Sequence, residues 1–374
     1  MDRGALIRST DAATLPAAEG SASLLLLYGA NGLLGSTIAR AMASAGLRPI
    51  LAGRSGASVR AIAAELGLEH RAFDLGDQTT TRSALGGVRV VLNCAGPFIR
   101  TYRPLAEACM ATGSHYLDLT GEPPVYEGLA SLDTDARRAG SMLLPGVGFD
   151  VSATDCLALH LKQRLPTATE LVLAFEVRGP AALPPGTANT FVEMAPYGLT
   201  LRRRDGRIEA APRYGGSRVI DFGGGAVRVE RLTWGDYVMA YHSTAIPNIE
   251  TYVNFGARVM PLIALAKWTN AMFRVRAVRS LARRMIPTGP TAAQRARTST
   301  NVWGEVRDVD GHRAAARLHG PEAGVEWTSR AAVAAARRAL AGDVRPGFQT
   351  PARAYGPDFV LEIDGVSRED VNLT

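Results

Sequence analysis

Residues Leu24–Leu51, LLLLYGANGLLGSTIARAMASAGLRPIL, followed by Ala52-Gly53-Arg54, decide the fold. An apolar run enters Gly29-x-x-Gly32-x-x-Gly35. Leu34, Ile38 and Met42 then recur at helical spacing, Gly46 ends the helix, and a second apolar run closes on Arg54. A strand, a glycine-rich turn, a helix and a second strand make a βαβ unit whose first turn cradles a dinucleotide pyrophosphate. Gly29 permits the tight turn, Gly32 lets the backbone approach the phosphates, and Gly35 lets the helix pack closely on the sheet. Asn31 belongs to the same turn, and the N–H groups around Leu33 and Leu34 face the anion.

The chain has 374 residues, room for two domains. Its net charge of +7 raises the question of nucleic acid, but nearly all the positive charge is arginine and it reads as scattered rather than striped. That argues against nucleic acid and for an anionic ligand. Cys94, Cys109 and Cys156 have no paired spacing. Neither a disulfide framework nor a metal site is expected, which fits a reducing cytoplasm. Met1–Ser23 is rich in Ala, Ser and Thr without an apolar core and reads as a flexible tail. Leu24–Leu27 is too short to cross a membrane.

Beyond the first unit, helices and strands alternate. Helices are expected over Ala57–Leu66, Arg103–Thr112 and Pro124–Ala139, and strands over Glu69–Leu75, Val88–Ala95, His115–Leu119 and Ser141–Pro145. This order predicts a Rossmann-type doubly wound parallel sheet. Val151–Leu165 reads as the helix leaving it. From Ala168 the pattern changes, with strands over Glu170–Val177 and Arg228–Leu232 and a hairpin around Asp205-Gly206. A second antiparallel pair, Thr300–Val306 with His312–Leu318, turns at Asp310-Gly311. The expected organisation is a tail over 1–22, a dinucleotide domain over 23–150, an α+β substrate or dimerisation domain with a mixed or antiparallel sheet over 151–345, and a segment over 346–374 returning towards the first domain. In the last region Ala331–Ala341 reads as a helix and Phe359–Ile363 as a strand. Val259–Ala266 is apolar and a basic run follows it. The two form either a core helix and a solvated helix, or a lid or interfacial helix that handles an acyl or acidic substrate.

The end of the second strand selects the cofactor. A site for NAD places Asp or Glu there, whereas Arg54-Ser55 suits a 2′-phosphate. NADP is therefore expected, with NADPH preferred over NADH. Asp74, beside Leu75 at the end of the third strand, either accepts from the adenine amino group or caps the next turn. Ligands in such sheets lie beyond the strand carboxyl ends. Cys94-Ala95-Gly96-Pro97-Phe98 should therefore border the nicotinamide, with Gly121 and Gly148-Phe149-Asp150 on the same edge.

These motifs, in this order, resemble the NADP-binding domain of saccharopine dehydrogenase-like oxidoreductases: GxxGxxG, the LAGR strand end, CAGPF, HYLDLTGE and PGVGFD. Pro185-Gly186-Thr187, Ile246-Pro247-Asn248, Gly289-Pro290, Val302-Trp303-Gly304 and Thr350-Pro351-Ala352 resemble the trans-acting enoyl reductase branch. The chain departs from that branch at Ile99-Arg100-Thr101-Tyr102-Arg103, where x-Arg-Tyr-Gly is usual.

No Tyr-x-x-x-Lys pair and no Cys/His cluster is present, which removes a short-chain dehydrogenase mechanism and a catalytic zinc. Tyr102, Asp150, Glu193, Tyr197, Tyr241 and His242 remain as acid–base candidates. Tyr241 and His242 either protonate a carbanion or simply pack. Phe98, Gly148, Phe149, Asp150, Thr187 and Glu193 are expected to meet substrate. The resemblance implies reduction of an enoyl C=C in an acyl or natural-product intermediate. Imine reduction and non-catalytic NADP sensing are the alternatives. The expected partner is a small molecule, not nucleic acid, and a peripheral membrane contact and a homodimer are left open.

Overall fold

The computed structural model describes residues 24–180, 184–197, 201–211, 216–256, 259–261, 265, 270–286 and 289–372. The tail expected over 1–22 lies outside them. The first six strands are β1 (Leu25–Tyr28), β2 (Ile50–Gly53), β3 (His70–Ala72), β4 (Val90–Asn93), β5 (His115–Asp118) and β6 (Met142–Leu144). The next eight are β7 (Glu170–Arg178), β8 (Leu201–Arg204), β9 (Arg207–Ala210), β10 (Ser217–Asp221), β11 (Ala226–Arg231), β12 (Asn248–Asn254), β13 (Ser299–Arg307) and β14 (Arg313–Pro321). Two short strands, β15 (Gly347–Phe348) and β16 (Ser367–Val371), complete the set.

The first sheet is parallel throughout, in the order β15-β6-β5-β4-β1-β2-β3. Without β15 this is the doubly wound 3-2-1-4-5-6 arrangement, which reverses direction between β1 and β4 and opens a crevice there. Helices cover both faces, so β1, β2, β4 and β5 are buried at every position. That is why these strands read as unbroken apolar runs rather than alternating ones. The second sheet is mixed, β10-β11-β12-β7-β13-β14-β16, with the β8–β9 hairpin attached through β12. Only β12 and β7 run parallel in it. The last thirty residues thus supply a strand to each sheet.

Four expectations change. The single helix expected over Pro124–Ala139 is two, Pro123–Ala130 and Asp133–Arg138. The fourth helix runs over Phe98–Thr112 and contains Pro104, starting five residues earlier than Arg103. Its start is set from a distance, because Glu122 accepts from the N–H groups of Phe98 (3.1 Å) and Ile99 (2.8 Å). Local propensity cannot show a cap supplied by another loop. The third strand shrinks to His70–Ala72. Phe359–Ile363 is not a strand. Phe359–Glu362 is a 3₁₀ turn that buries Phe359, Val360 and Ile363 and exposes Leu361. A strand would put 359, 361 and 363 on one face. The strand of this region is β16, eight residues further on.

The positive charge is also less scattered than it reads. Residues 251–304 hold nine basic residues and no Asp or Glu, which exceeds the whole net charge of the chain.

Candidate active site

A cleft of about 880 Å³ opens along the carboxyl edge of the first sheet and is roofed by the second domain. Its size is that of a ligand site able to bury most of a dinucleotide-sized molecule. The glycine turn forms one end. Gly29 sits at φ +86°, and a Cβ there would meet Ala95 at 2.8–2.9 Å, so the turns after β1 and β4 touch. A Cβ at Gly35 would lie 2.1 Å from the Gly29 carbonyl oxygen. Gly35 therefore does not line the cleft; it lets the Leu33–Ser44 helix press on the turn. Gly32 caps this helix without a side-chain acceptor, and no acidic residue stands in the first turn. Its N–H groups are left for an anion in the cleft, where Asn31, Gly32, Leu33 and Leu34 form the lining. Gly35→Ala should destabilise the fold by about 1–3 kcal/mol through overpacking. It should also weaken dinucleotide binding, which thermal denaturation with and without NADPH would measure.

Arg54 and Ser55 line the same end. Arg54 is exposed, and no carboxylate forms an ion pair with it among the described residues. Asp74 lines the cleft while accepting from Gly76 N (2.8 Å), so it caps the turn at this end of the cleft. Leu75 is buried behind it and does not reach the lining. Tyr28 donates to the Phe73 carbonyl (3.2 Å), and burial, helped by Asp74, pushes its hydroxyl up to about 12.

The turns after β4, β5 and β6 are bound into one floor by buried polar groups. Asn93 donates to Thr101 (3.0 Å) and Tyr116 (3.1 Å) and accepts from Ala95 N (3.0 Å). Thr101 donates to the Ala95 carbonyl (2.7 Å), and Tyr116 donates to Asp118 (2.7 Å). Asp118 accepts from Thr120 N (2.9 Å) and Gly146 N (3.0 Å). Burial pushes Asp118 up to about 6 and Glu122 to about 7, each opposed by its N–H donors. The altered Thr101-Tyr102 segment, which lies in the first turns of helix Phe98–Thr112, thus has a structural use: Thr101 holds the Cys94-Ala95-Gly96-Pro97 turn in place. Burial raises the Cys94 thiol far above its ordinary range, so it is no nucleophile.

The other half of the cleft is aromatic. Phe149 packs on Phe175 (ring centroids 5.4 Å), and Phe175 packs on Trp234 (5.8 Å) and Phe255 (5.3 Å). Phe98, Val177 and Val259 join them in the lining. Asp150 lies in the floor beneath these rings. Both its carboxyl oxygens are buried with no N–H or hydroxyl donor on them, their polar neighbour being the Asp236 carboxyl, and an added Cβ on Gly121 would lie 2.4 Å from Oδ2. The Trp234 indole N–H is likewise unpaired. Burial first, then the neighbouring Asp236 carboxylate, raises Asp150 well above the ordinary carboxyl range. Asp236 accepts from the Thr154 hydroxyl and is pushed only to about 6. Burial and mutual repulsion therefore favour the singly protonated pair over two carboxylates.

The remaining candidates fall elsewhere. Tyr241 lies under the Arg203 guanidinium (3.9 Å to the ring centre), and His242 packs on Phe348 (5.0 Å). Neither lines the cleft, and burial lowers the affinity of His242 for a proton. Their helix, Asp236–Thr244, turns this end away from the cleft edge, and its first residue, Asp236, is buried beside Asp150. Tyr102 is buried with its hydroxyl against Gly128, because helix Phe98–Thr112 packs that face on the next helix. Glu193 does not reach the lining; it binds Arg283 and stands 3.9 Å from Arg100. The side chain of Tyr197 lies outside the described residues. Thr187, Gly148, Phe149 and Phe98 do line the cleft. Sequence reasoning did not find Phe175, Trp234, Phe255, Asp236, Glu322 or Thr328. Trp234-Gly235-Asp236 held a signal: a glycine between a tryptophan and an acid, where a Cβ would strike Tyr126 at 2.4 Å.

Sheet order, glycine turn and roofed cleft define a Rossmann-type dinucleotide-binding protein with a second α+β domain. Residues 25–144 match the family model described as the saccharopine dehydrogenase NADP binding domain, so the resemblance read from the motifs holds over that domain. A trans-acting enoyl reductase of Mycobacterium leprae is 34% identical over 149 residues, which cover 38% of this chain and 36% of that protein. One of Mycobacterium tuberculosis is 32% identical over 148 residues, 37% of this chain and 35% of that protein. The matched segment thus spans under two fifths of the length of these curated relatives. In fold, the chain is similar to the apo saccharopine dehydrogenase (L-Glu forming) of Saccharomyces cerevisiae, with a TM-score of 0.63 at 12% identity over 93% of this chain and 99% of that one. No helix among the described residues is long and apolar enough to cross a membrane.

Proposed function

We propose that this chain is an NADPH-dependent reductase of an electron-poor C=C bond carried on an apolar substrate, with Asp150 as the proton donor. The observation that carries the reading is a buried carboxyl, facing only the Asp236 carboxyl and raised in proton affinity by it and by burial, in the floor of a cleft whose one half fits a dinucleotide and whose other half is aromatic. The cradle fits NADP: the helix start after Gly32 takes the pyrophosphate, Arg54 and Ser55 take the 2′-phosphate, and the turn at Cys94–Pro97 borders the nicotinamide. When bound, the dinucleotide supplies the hydride. The chain's own residues do the rest. Phe149, Phe175, Trp234 and Phe255 exclude water and hold the substrate flat. As hydride adds to the β-carbon, the α-carbon gains electron density and takes the Asp150 proton, and the resulting carboxylate is reprotonated from solvent. The enoyl reductase names of the curated relatives support C=C over C=N.

The test is a fluorescence titration with NADPH and NADH, followed by a screen for NADPH oxidation against enones, enoyl thioesters and imines. Tighter NADPH binding with turnover of an apolar enoyl compound is the expected result. Turnover of imines alone would replace the C=C reading, and binding without any turnover would leave a dinucleotide sensor.

A further inference from the structure

The cleft mouth carries a surface that the reductase reading does not use. Helix Arg276–Arg284 packs on helix Pro185–Met194, whose Pro185, Gly186, Thr187 and Thr190 line the cleft, and Arg283 reaches the lining itself. Helix Arg276–Arg284 buries none of its own residues. Leu281 (61% exposed) and Met285 (75%) stand out from it, and Met272 (57%) and Val275 (56%) stand out from the 3₁₀ turn just before it. Large apolar side chains exposed together mark an interaction surface, whereas single ones need no explanation. Arg274, Arg276 and Arg284 are exposed among them. Arg279 is not free in this way; it donates to the Phe273 and Arg274 carbonyls and holds the turn to the helix.

We propose that this patch docks the protein on an anionic lipid bilayer, with Met272, Val275, Leu281 and Met285 entering the headgroup boundary and the arginines meeting lipid phosphates. Charge chooses the occupant. Of the nine basic residues from 251 to 304, Arg283 pairs with Glu193 and Arg295 with Glu326, but among the described residues no carboxylate pairs with the exposed Arg274, Arg276 or Arg284, so the patch itself stays positive and suits a uniformly negative surface. A second copy of the chain would bring the same positive patch against itself. Each basic residue near an anionic membrane adds to the attraction, and apolar insertion adds to this. Docking here also places the aromatic half of the cleft at the lipid boundary, so an apolar substrate passes from bilayer to Asp150 without crossing water. That consequence rests on the reductase reading; the docking itself does not.

The experiment is co-sedimentation of the full chain with phosphatidylcholine vesicles and with vesicles of three parts phosphatidylcholine to one part phosphatidylglycerol, at 0.1 M and 0.5 M NaCl. Binding to the anionic vesicles should be at least tenfold stronger and should fall at high salt. Leu281→Asp with Met285→Asp, and separately Arg276→Glu with Arg284→Glu, should each reduce it at least tenfold. NADPH titration should be unchanged in both, which shows that the variants fold. Equal or absent binding to the two vesicle types overturns the proposal. So does anionic binding that survives Leu281→Asp with Met285→Asp, since adsorption by charge alone would then explain it. A dimer in sedimentation equilibrium that these two substitutions convert to monomer also overturns it, assigning the patch to a second copy. No step of this test uses turnover, so failure of the reductase reading leaves it intact.

Discussion

Arg54→Asp should weaken NADPH binding by roughly 10- to 100-fold while leaving NADH binding within about threefold of the parent. The size follows from the 2′-phosphate losing a charge-assisted partner, which contributes about 1.5–3 kcal/mol. A carboxylate in its place adds repulsion towards that phosphate but accepts a bond from the 2′-hydroxyl of NADH. Arg54 is exposed at the end of β2 and has no carboxylate partner to lose, so the substitution should leave the fold intact. Fluorescence titration with both nucleotides is the measurement. Equal losses for the two would assign Arg54 a structural role and remove the ground for preferring NADPH.

Asp150→Asn should lower kcat by about 10²- to 10⁴-fold, the range for loss of a positioned general acid, with NADPH affinity unchanged. In the parent, activity should decline at alkaline pH as the Asp150 proton is lost, and that limb should disappear in the variant. The same substitution should stabilise the protein, and the sign follows from linkage. Asp150 holds its proton more tightly folded than unfolded. Its contribution to stability is therefore complete below the unfolded value, about pH 4, and is lost as pH rises through the raised folded value. Asparagine cannot ionise, so this loss vanishes. The variant should melt higher than the parent above neutral pH, with the difference closing towards pH 4. Higher stability with lower activity is a result that a merely structural carboxyl would not produce. If Asp150→Asn retained full kcat, the proton would have to come from elsewhere in the cleft, and the unpaired Trp234 N–H would then be left as a substrate hydrogen-bond donor only.

The two predictions rest on residues of different legibility. Arg54 could be placed from the chain because it ends a strand at a known offset from the glycine turn, and both lie within one βαβ unit. Asp150 was visible as one acid among several, but its role was not. Its proton affinity depends on Asp236, 86 positions later, and on rings from β7 and from the turns around Trp234 and Phe255. Tyr241 and His242 show the converse. A tyrosine and a histidine adjacent in a polar segment look like acid–base chemistry, yet Arg203 and Phe348 occupy their rings. Helix Phe98–Thr112 could not be bounded correctly because its cap, Glu122, comes from the loop after β5. The basic run after Val259–Ala266 was legible in the sequence, but its place beside the cleft, against helix Pro185–Met194, was not.

The sequence alone determined the parallel sheet, the glycine cradle and the cofactor end of the cleft. Each is written in periodicity and spacing within about thirty residues, where chain connectivity itself brings the groups together. The substrate end was decided only by tertiary structure. Its aromatic wall, its paired carboxyls and its basic rim come from segments far apart in the chain, and burial, which has no local signature, raises the proton affinity of the Asp150 carboxyl.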